Sequence, residues 1–542
     1  VGVVTTVGDI VAERAGVVNP LQRPGADRPM MFDMLPDDDP LVVPPVHVPA
    51  CSAADMANAT MFRVAKEAMP MLGADYTALE ANGDNAVLLP GPTGLLQRTI
   101  DEAMRAMVTQ DWKVGEPLAP IAVQPSPIEE VLADAPPRAR VRLLEALELA
   151  DTGAASAKAF HRFKITVKRE LWHVQGKAPR VYHAPTPSRT LHYAPFWHAF
   201  LHQLVGHPWS VKGLTPPARA QVFLDHAVRW GCRWGIGGDV SAWDTSWTPT
   251  TRLLVAQTVQ RWMKGYDDMG MPPGAPRRLT GKFLEMLAYG LHQSGESDNG
   301  PTNGILHAGV RIAGLRLVYG VDPVTDPAVL MKVEGDDGAD VFNGAECPLK
   351  AKRYQQWFAM LGFEGSQVPG VVDCLAAPHE PPLEFCSAMI GGGSKGALSL
   401  PVQPRAFLRS LYLARTSGDL AGLRVAKACS LAVSSPGTWV SAAVGAVLGK
   451  GAWHMAVRAK HLDDLDARHL TLQDLVSAKK AARLPQPDPL ALAFEATQLQ
   501  VTVPTLQEFY HHCVDGTREQ GIAAIQAMRR RVRGLGGSAI KQ

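Results

Sequence analysis

Residues 329–342 read VLMKVEGDDGADVF, two short apolar runs on either side of a Glu-Gly-Asp-Asp break. Runs of this length joined by so tight a polar link predict two antiparallel strands, with Gly335 supplying a permissive backbone and Asp336 and Asp337 at the tip. Upstream, DVSAWDTSW (239–247) follows residues 232–238, which read as another strand, and sets Asp239 and Asp244 five positions apart. If these strands pair, Asp239 and Asp336 converge. Convergent carboxylates suit Mg²⁺, a hard ion that takes oxygen ligands, keeps waters and binds substrate phosphates. Two such ions can clamp the attacking and leaving oxygens of an in-line phosphoryl displacement.

Between the two carboxylate elements lies HQSGESDNGPTNGILHAGVRIAGLRLVYG (292–320), a polar, glycine-rich loop running into a helix whose apolar residues include Ile305, Val310, Ile312 and Leu315. Ser294, Gly295 and Asn303 fall at the loop and helix start. Asp244, Ser294 and Asn303 offer donors and acceptors of the kind that read a ribose 2′-hydroxyl. The stretch 164–198, KITVKRELWHVQGKAPRVYHAPTPSRTLHYAPFWH, is the most basic of the chain; residues 155–195 hold eight Lys or Arg and four His against one acid, Glu170. A whole-chain net charge of +2 therefore hides a concentrated positive segment, as expected where triphosphate and RNA backbone are held. Its alternating apolar residues and interleaved Pro179, Pro185 and Pro187 predict a strand and a shaped loop rather than a helix. Alone, each element is ordinary: a hairpin turn, a loop with an N-cap, a solvated basic face. Their order and number set them apart.

Together these blocks resemble the motifs of viral RNA-dependent RNA polymerases, especially those of positive-strand viruses of the flavivirus, pestivirus and tombusvirus kind. GKAPRVYHAPTPSRTL (176–191) resembles the fingers motif F, DVSAWDTS motif A, SGESDNGPTN (294–303) motif B, VEGDDGADVF (333–342) motif C, and LEFCSAMI (383–390) the motif E hairpin. The resemblance spans about residues 164–390. It implies an α+β right hand with fingers, a palm of short antiparallel sheet backed by helices, and a helical thumb. The implied division is an N-terminal arm (1–51), fingers (52–231), first palm part (232–268), fingers insertion (269–290), second palm part (291–392), and thumb with a basic tail (393–542).

The resemblance also implies template-directed transfer of nucleotides to an RNA 3′-hydroxyl, with two Mg²⁺ or Mn²⁺ ions held by Asp239, Asp336 and Asp337. Ribose recognition would fall to Asp244, Ser294 and Asn303. Triphosphate and RNA contact would fall to Lys168, Lys177, Arg180, Arg189 and Gly295, with Glu170 shaping the same channel, and the primer grip to Cys386 and Ser387. The implied partners are RNA template and product, nucleoside triphosphates and other viral replication proteins, in replication complexes of the host cytoplasm. Two departures stand out. The sixth position of the family's SGxxxTxxxN pattern is Asn299 rather than Thr, with Thr302 beside Asn303, and residues 362–374 contain no Lys to match the motif D proton donor. The general acid for pyrophosphate is therefore left unassigned.

Two alternatives stay open. A reverse transcriptase shares the palm carboxylates but is expected to carry an aromatic residue before Asp-Asp and a bulky residue against the 2′-hydroxyl, where this chain has Gly335 and the Asp244/Asn303 pair. A non-catalytic RNA-binding replication protein would keep the hand without needing all three carboxylates.

Composition fits a large enzyme. A chain of 542 residues, 46% hydrophobic, can bury a sizeable core and divide into two or more domains. Charged residues are 20% and nearly balanced, which excludes a disordered basic tail protein. Seven Cys without a CxxC pair argue against a disulfide framework and for a reducing compartment. No apolar run reaches the ~20 residues of a spanning helix; residues 439–448 read as a core helix. No Walker A or dinucleotide fingerprint is present, which argues against a helicase or a fused methyltransferase. Val1 in place of Met suggests a processed polyprotein product or a trimmed chain. Residues 17–50 read as an extended proline-rich arm, and helices are expected at 53–72, 137–150, 248–264 and 349–361. A loop is expected at 271–282, mainly helix beyond 391, and a basic tail at 529–534. His511-His512-Cys513 reads as structural.

Overall fold

The computed structural model describes residues 8–13, 92–108, 123–135, 137–152, 160–167, 181–240, 243–247, 249–263, 265–266, 276–280, 284–289, 299–373, 382–403, 405–411, 419–465, 470–481 and 486–533. The proline-rich arm, the helix expected at 53–72, and the candidate residues Lys168, Glu170, Lys177, Arg180, Ser294 and Gly295 lie outside them.

The fold is mixed α+β. Its strands, in chain order, are β1 (Gly8–Glu13), β2 (Arg162–Val167), β3 (Val181–Pro185), β4 (Trp234–Val240), β5 (Pro276–Thr280), β6 (Leu284–Tyr289), β7 (Leu330–Glu334), β8 (Asp337–Val341), β9 (Gly365–Val371), β10 (Leu383–Phe385), β11 (Ala388–Gly393) and β12 (Gly396–Pro401). They form three sheets, ordered β7-β8-β4-β9, β1-β6-β5-β2-β3 and β10-β11-β12. The first is antiparallel throughout; the second has one parallel pair, β2 with β5.

The sheet β7-β8-β4-β9 is the frame of the molecule. Against one face lies the helix Asn299–Gly314, buried at every residue from Ile305 to Gly314. A helix apolar on all sides, with Ala308, Gly309 and Ala313 letting neighbours close in, belongs at the centre of a core rather than on its surface. It shares one cluster with Leu96, Ile100 and Met104 of the helix Pro92–Val108, with Ile236, Met331 and Val333 of the sheet, and with Trp357 and Phe358 of the helix Pro348–Met360. Each such side chain contributes about 1.5–3 kcal/mol by leaving water. The other face is covered by β10–β12 and the helix Pro216–Trp230, through Phe223, Ala339, Val341, Leu383, Phe385 and Ile390.

Beyond residue 404 the described chain is helical. Phe407, Val440, Val444, Leu506, Phe509, Ile525 and Met528 make a core of their own. Its helix Trp439–Gly449 is capped from a distance: Glu495, buried, accepts the Trp439 and Val440 backbone N–H groups, each at 2.9 Å. Leu398, Leu400, Ala491 and Phe494 join this helical part to the β11–β12 hairpin. No helix among the described residues is long and apolar enough to cross a membrane.

Several expected boundaries move. Residues 276–280 of the expected loop are strand β5. The basic segment leaves its strand-and-loop form at Thr186, whose side chain accepts from Arg189 N at 3.4 Å, and Pro187 opens a helix that runs to Leu204. Proline at a first helical turn gives up only an N–H that has no partner there. Residues 529–533 are the last turns of the helix Arg518–Arg533, with Arg529 and Val532 buried, and not a tail. Beyond 391 the chain completes β11 and β12 before turning helical.

Candidate active site

Glu334 and Asp337 are cross-strand partners in the β7–β8 hairpin, so the connecting loop is Gly335-Asp336 alone. Gly335 has φ 65° and Asp336 does not share that region, as in a type II′ turn, where the first central position requires glycine. The expectation that both aspartates sit at the tip is thus corrected: Asp336 occupies the loop and Asp337 begins β8. Asp239, likewise, lies within β4 rather than after it.

Register then places the acids. Asp337 faces Glu334 on one side and Asp239 on the other, and Asp239 faces Ser366 of β9. Directly opposed residues of antiparallel strands project to the same side of the sheet, so Glu334, Asp337, Asp239 and Ser366 form one row across all four strands. The in-register partner of Asp239 is Asp337; Asp336 stands beside the pair, at the loop. A further acid arrives from above. A Cβ on Gly237 would lie 2.3 Å from the Glu384 carbonyl oxygen, so only glycine lets β10 cross β4 this closely, and the crossing brings Glu384 within electrostatic reach of Asp239.

A row of like charges is unfavourable unless something offsets it. Burial and the surrounding Asp336, Asp239, Glu384 and Glu334 push the Asp337 carboxyl up to about 7. Burial and Asp239 also raise Glu384. Lys212 Nζ forms an ion pair with Glu334 at the edge of the group. Asp239 and Asp336 are open to solvent while Asp337 is half-buried. The carboxylate oxygens of Asp239, Asp336 and Asp337 do not all lie within 4.8 Å of one another. An all-oxygen group with solvent-open members fits hard divalent cations that keep part of their hydration.

On the opposite side of the same strands a different chemistry holds the hairpin in place. Gly338 and Asp340 face the helix Asn299–Gly314, from which Arg311 reaches down. Its Nη2 donates to Gly338 O at 2.6 Å and to Gln367 Oε1 at 3.3 Å, and its Nη1 pairs with Asp340 Oδ2. Tyr354 Oη donates to the same Asp340 oxygen at 3.3 Å. Arg311 Nε donates to His307 Nε2 at 3.1 Å, which leaves His307 Nδ1–H to donate to Gly335 O, also at 3.1 Å. Burial and the neighbouring guanidinium hold His307 well below the usual imidazole range, so the ring is neutral with its proton on Nδ1. Burial raises the Asp340 carboxyl and the Arg311 guanidinium beside it pulls it back, to about 6. Asp336 is thereby carried by a loop whose preceding carbonyl is bonded from below.

The expected ribose-reading residues are brought together in part. Asp244 lies in the short helix Trp243–Ser246, pinned by Trp243, which stacks on Phe363 with ring centroids 4.6 Å apart and leans on His307 at 4.9 Å. Asn303 Nδ2 donates to Asp244 Oδ1 at 3.3 Å and to Asn299 Oδ1 at 2.8 Å. Asn303 sits one turn inside the helix rather than at its start, and Asn299, the residue that departs from the family pattern, is its i−4 partner. Asn303 Oδ1 is buried without a protein hydrogen-bond partner.

Cys386 and Ser387 form the β10–β11 turn, both at positive φ (53° and 59°). Burial is the main influence raising the Cys386 thiol, with Asp337 adding to it, which sets this turn beside the acidic row. Arg189, expected to contact triphosphate, is buried, with its guanidinium carbon 5.0–5.3 Å from the ring centroids of Phe160, Phe163 and Tyr193.

His307, Arg311, Asp340 and Glu384 escape motif reading. The signal for the first two is polar residues four apart in a helix otherwise apolar all round. No protein-family model matches the chain, and no curated protein matches it.

Proposed function

We propose that the chain is an RNA-directed RNA polymerase, in which an RNA 3′-oxygen displaces pyrophosphate from the α-phosphorus of a nucleoside triphosphate under template control. The observation that carries this reading is the row Glu334, Asp337, Asp239 across one sheet, with Asp336 at the adjoining loop and the Asp244–Asn303 pair beside it. Carboxylates crowded to the point that Asp337 is driven up to about 7 are poorly explained as structural elements and well explained as ligands. Asp239 and Asp336, both solvent-open, and Asp337 would hold two Mg²⁺ or Mn²⁺ ions. Such ions, when bound, supply charge stabilisation to the attacking and leaving oxygens.

The protein's own part is positioning. His307 and Arg311 fix the loop that carries Asp336, so the carboxylates are held in place before substrate arrives. Asp244 orients Asn303, whose unpartnered Oδ1 suits a ribose hydroxyl donor, and a site built to satisfy that hydroxyl disfavours a deoxyribose that leaves it unpaired. In this reading the four-stranded sheet with its helices is the palm of a right hand, the β10–β11 turn the primer grip, and the helices beyond 404 the thumb. The partners are then template and product RNA and nucleoside triphosphates.

The test is primer-free and primed extension on a defined RNA template, with Mg²⁺ or Mn²⁺ and with chelator. Metal-dependent ribonucleotide incorporation that disappears in Asp336→Ala, while RNA binding persists, is the expected result. Extension unchanged by Asp336→Ala and Asp239→Ala would remove the proposal.

A further inference from the structure

Away from the acidic row, the helices Ile128–Asp134 and Pro187–Leu204 meet at a second polar group. His198 Nε2 and His202 Nε2 each lie 3.1 Å from Asp134 Oδ2 and 3.1 Å from each other, so three potential ligand atoms form an equilateral triangle. It is the one trio of His, Cys, Asp or Glu among the described residues whose ligand atoms all approach this closely. Ordinary hydrogen bonding accounts for it poorly. Two imidazole N–H groups aimed at one carboxylate oxygen would crowd their protons together, whereas one cation can face all three lone pairs. The dimensions fit a particular cation. Zinc bound to nitrogen and oxygen at about 2.0–2.1 Å in tetrahedral geometry holds its ligands about 3.3 Å apart, and sits roughly 0.7 Å above the plane of three of them.

Three further features favour a metal. His198 and His202 are separated by four positions, which puts both rings on one face of a helix, as in helical zinc motifs. His198 Nδ1 lies 2.9 Å from Ser126 Oγ, the outer hydrogen bond that a metal-binding imidazole ordinarily makes through its far nitrogen. The backbone on both sides of Asp134 is fixed: Ser126 N donates to Pro195 O at 3.0 Å, and Arg140 donates to Leu132 O and Ala133 O, each at 2.6 Å, and to Ala135 O at 3.3 Å. Asp134 and His202 are largely exposed and His198 is not, which leaves the triangle one side open to water.

We propose that Asp134, His198 and His202 bind one zinc ion, with water in the fourth position and Ser126 orienting His198. The ion would clasp the segment 123–134 to the helix Pro187–Leu204. This site is independent of the polymerase reading: its ligands are two imidazoles and one carboxylate, a set suited to zinc, where the acidic row offers oxygen only.

Titration of the full-length protein, stripped with chelator, with Zn²⁺ and with Co²⁺ tests the proposal. One equivalent is expected to bind, and Co²⁺ is expected to show the intense visible bands of a tetrahedral nitrogen–oxygen site without thiolate charge transfer. His202→Ala and Asp134→Asn change exposed side chains and should keep the fold, checked by circular dichroism, yet lower affinity at least tenfold. Ser126→Ala should lower it about tenfold, as loss of an outer-shell partner does. Asp239→Asn and Asp336→Asn should leave it unchanged. Wild-type affinity in folded His202→Ala and Asp134→Asn, or no cobalt band in the wild type, would overturn it.

Discussion

Asp337→Asn is the most direct probe of the acidic row, and its expected effect runs against the usual expectation that a mutation destabilises. With the Asp337 carboxyl raised from 3.8 to about 7, the folded chain keeps a proton that the unfolded chain has already lost. Between those values the folded state binds more protons, so stability falls as pH rises through the window, and the full cost is felt above about pH 7. Three units at 1.36 kcal/mol each give a ceiling of about 4 kcal/mol. Asp239 and Asp336 are open to water, which screens their repulsion, and about 2 kcal/mol is the working figure. An amide of the same shape never carries the charge. In chelator at pH 8, Asp337→Asn should therefore melt higher than wild type by a few degrees, at about 2 °C per kcal/mol for a chain this large, while near pH 4 the two should coincide. Added Mg²⁺ or Mn²⁺ should raise the wild-type midpoint at pH 8 and raise that of the variant much less. Scanning fluorimetry across pH 4–8, with and without divalent ion, reads all four conditions. A variant no more stable than wild type at pH 8 in chelator, or one whose advantage is the same at pH 4, refutes the electrostatic account of the row.

The remaining predictions concern other parts of the site and fold. Asn303→Ala should relax discrimination between ribo- and deoxyribonucleotides more than it slows ribonucleotide addition; equal losses on both sugars in single-nucleotide incorporation would count against a ribose-reading role. Arg311→Leu leaves Asp340 buried and unpaired beneath the hairpin, and should cost about 3–5 kcal/mol in denaturant unfolding; a change under 1 kcal/mol would mean the pair does not hold the hairpin. His307→Phe keeps the ring packing but loses the bond to Gly335 O, so extension should fall tenfold or more with little change in RNA affinity. Glu495→Ala removes the acceptor for one buried and one part-buried N–H group of the helix Trp439–Gly449 and should destabilise by about 2–3 kcal/mol, a loss visible as a lowered denaturant midpoint.

How much of this was legible in sequence depended on whether the deciding interaction was local. The β7–β8 hairpin follows from a glycine at a position that needs positive φ between two apolar runs, and β4 from a short run ending in Asp239; both are set by near neighbours. The central helix is legible because its burial on every side writes a pattern from Ile305 to Leu315 that is apolar but for His307 and Arg311. The register between β4 and β8 is not legible, since a one-residue slip changes which side every carboxylate faces, and it is the register that pairs Asp239 with Asp337 rather than with Asp336. Arg189 misleads for a related reason. An arginine in a basic segment reads as a surface charge until Phe160, Phe163 and Tyr193 are seen to surround it. The Glu384 contribution and the Asp134–His198–His202 group depend on elements far apart in sequence, and the spacing of His198 and His202 is their only local trace.

The two faces of the four-stranded sheet carry opposite electrostatic logic, and the period of a β-strand connects them. Along β8, Asp337 and Ala339 project toward β10 while Gly338 and Asp340 project toward the central helix, so acids three residues apart enter separate environments. Asp340 is fully buried and its charge is matched by Arg311 and a tyrosine hydroxyl. Asp337 faces Asp336, Asp239, Glu384 and Glu334, four acids that each raise its carboxyl. Removing either partner of the matched pair should loosen the hairpin, and neutralising the unmatched residue should tighten it. A strand made only for stability would have no reason to separate these two conditions so sharply, whereas a strand that must present unbalanced charge at a fixed place needs a balanced, rigid underside to keep that charge from rearranging the turn.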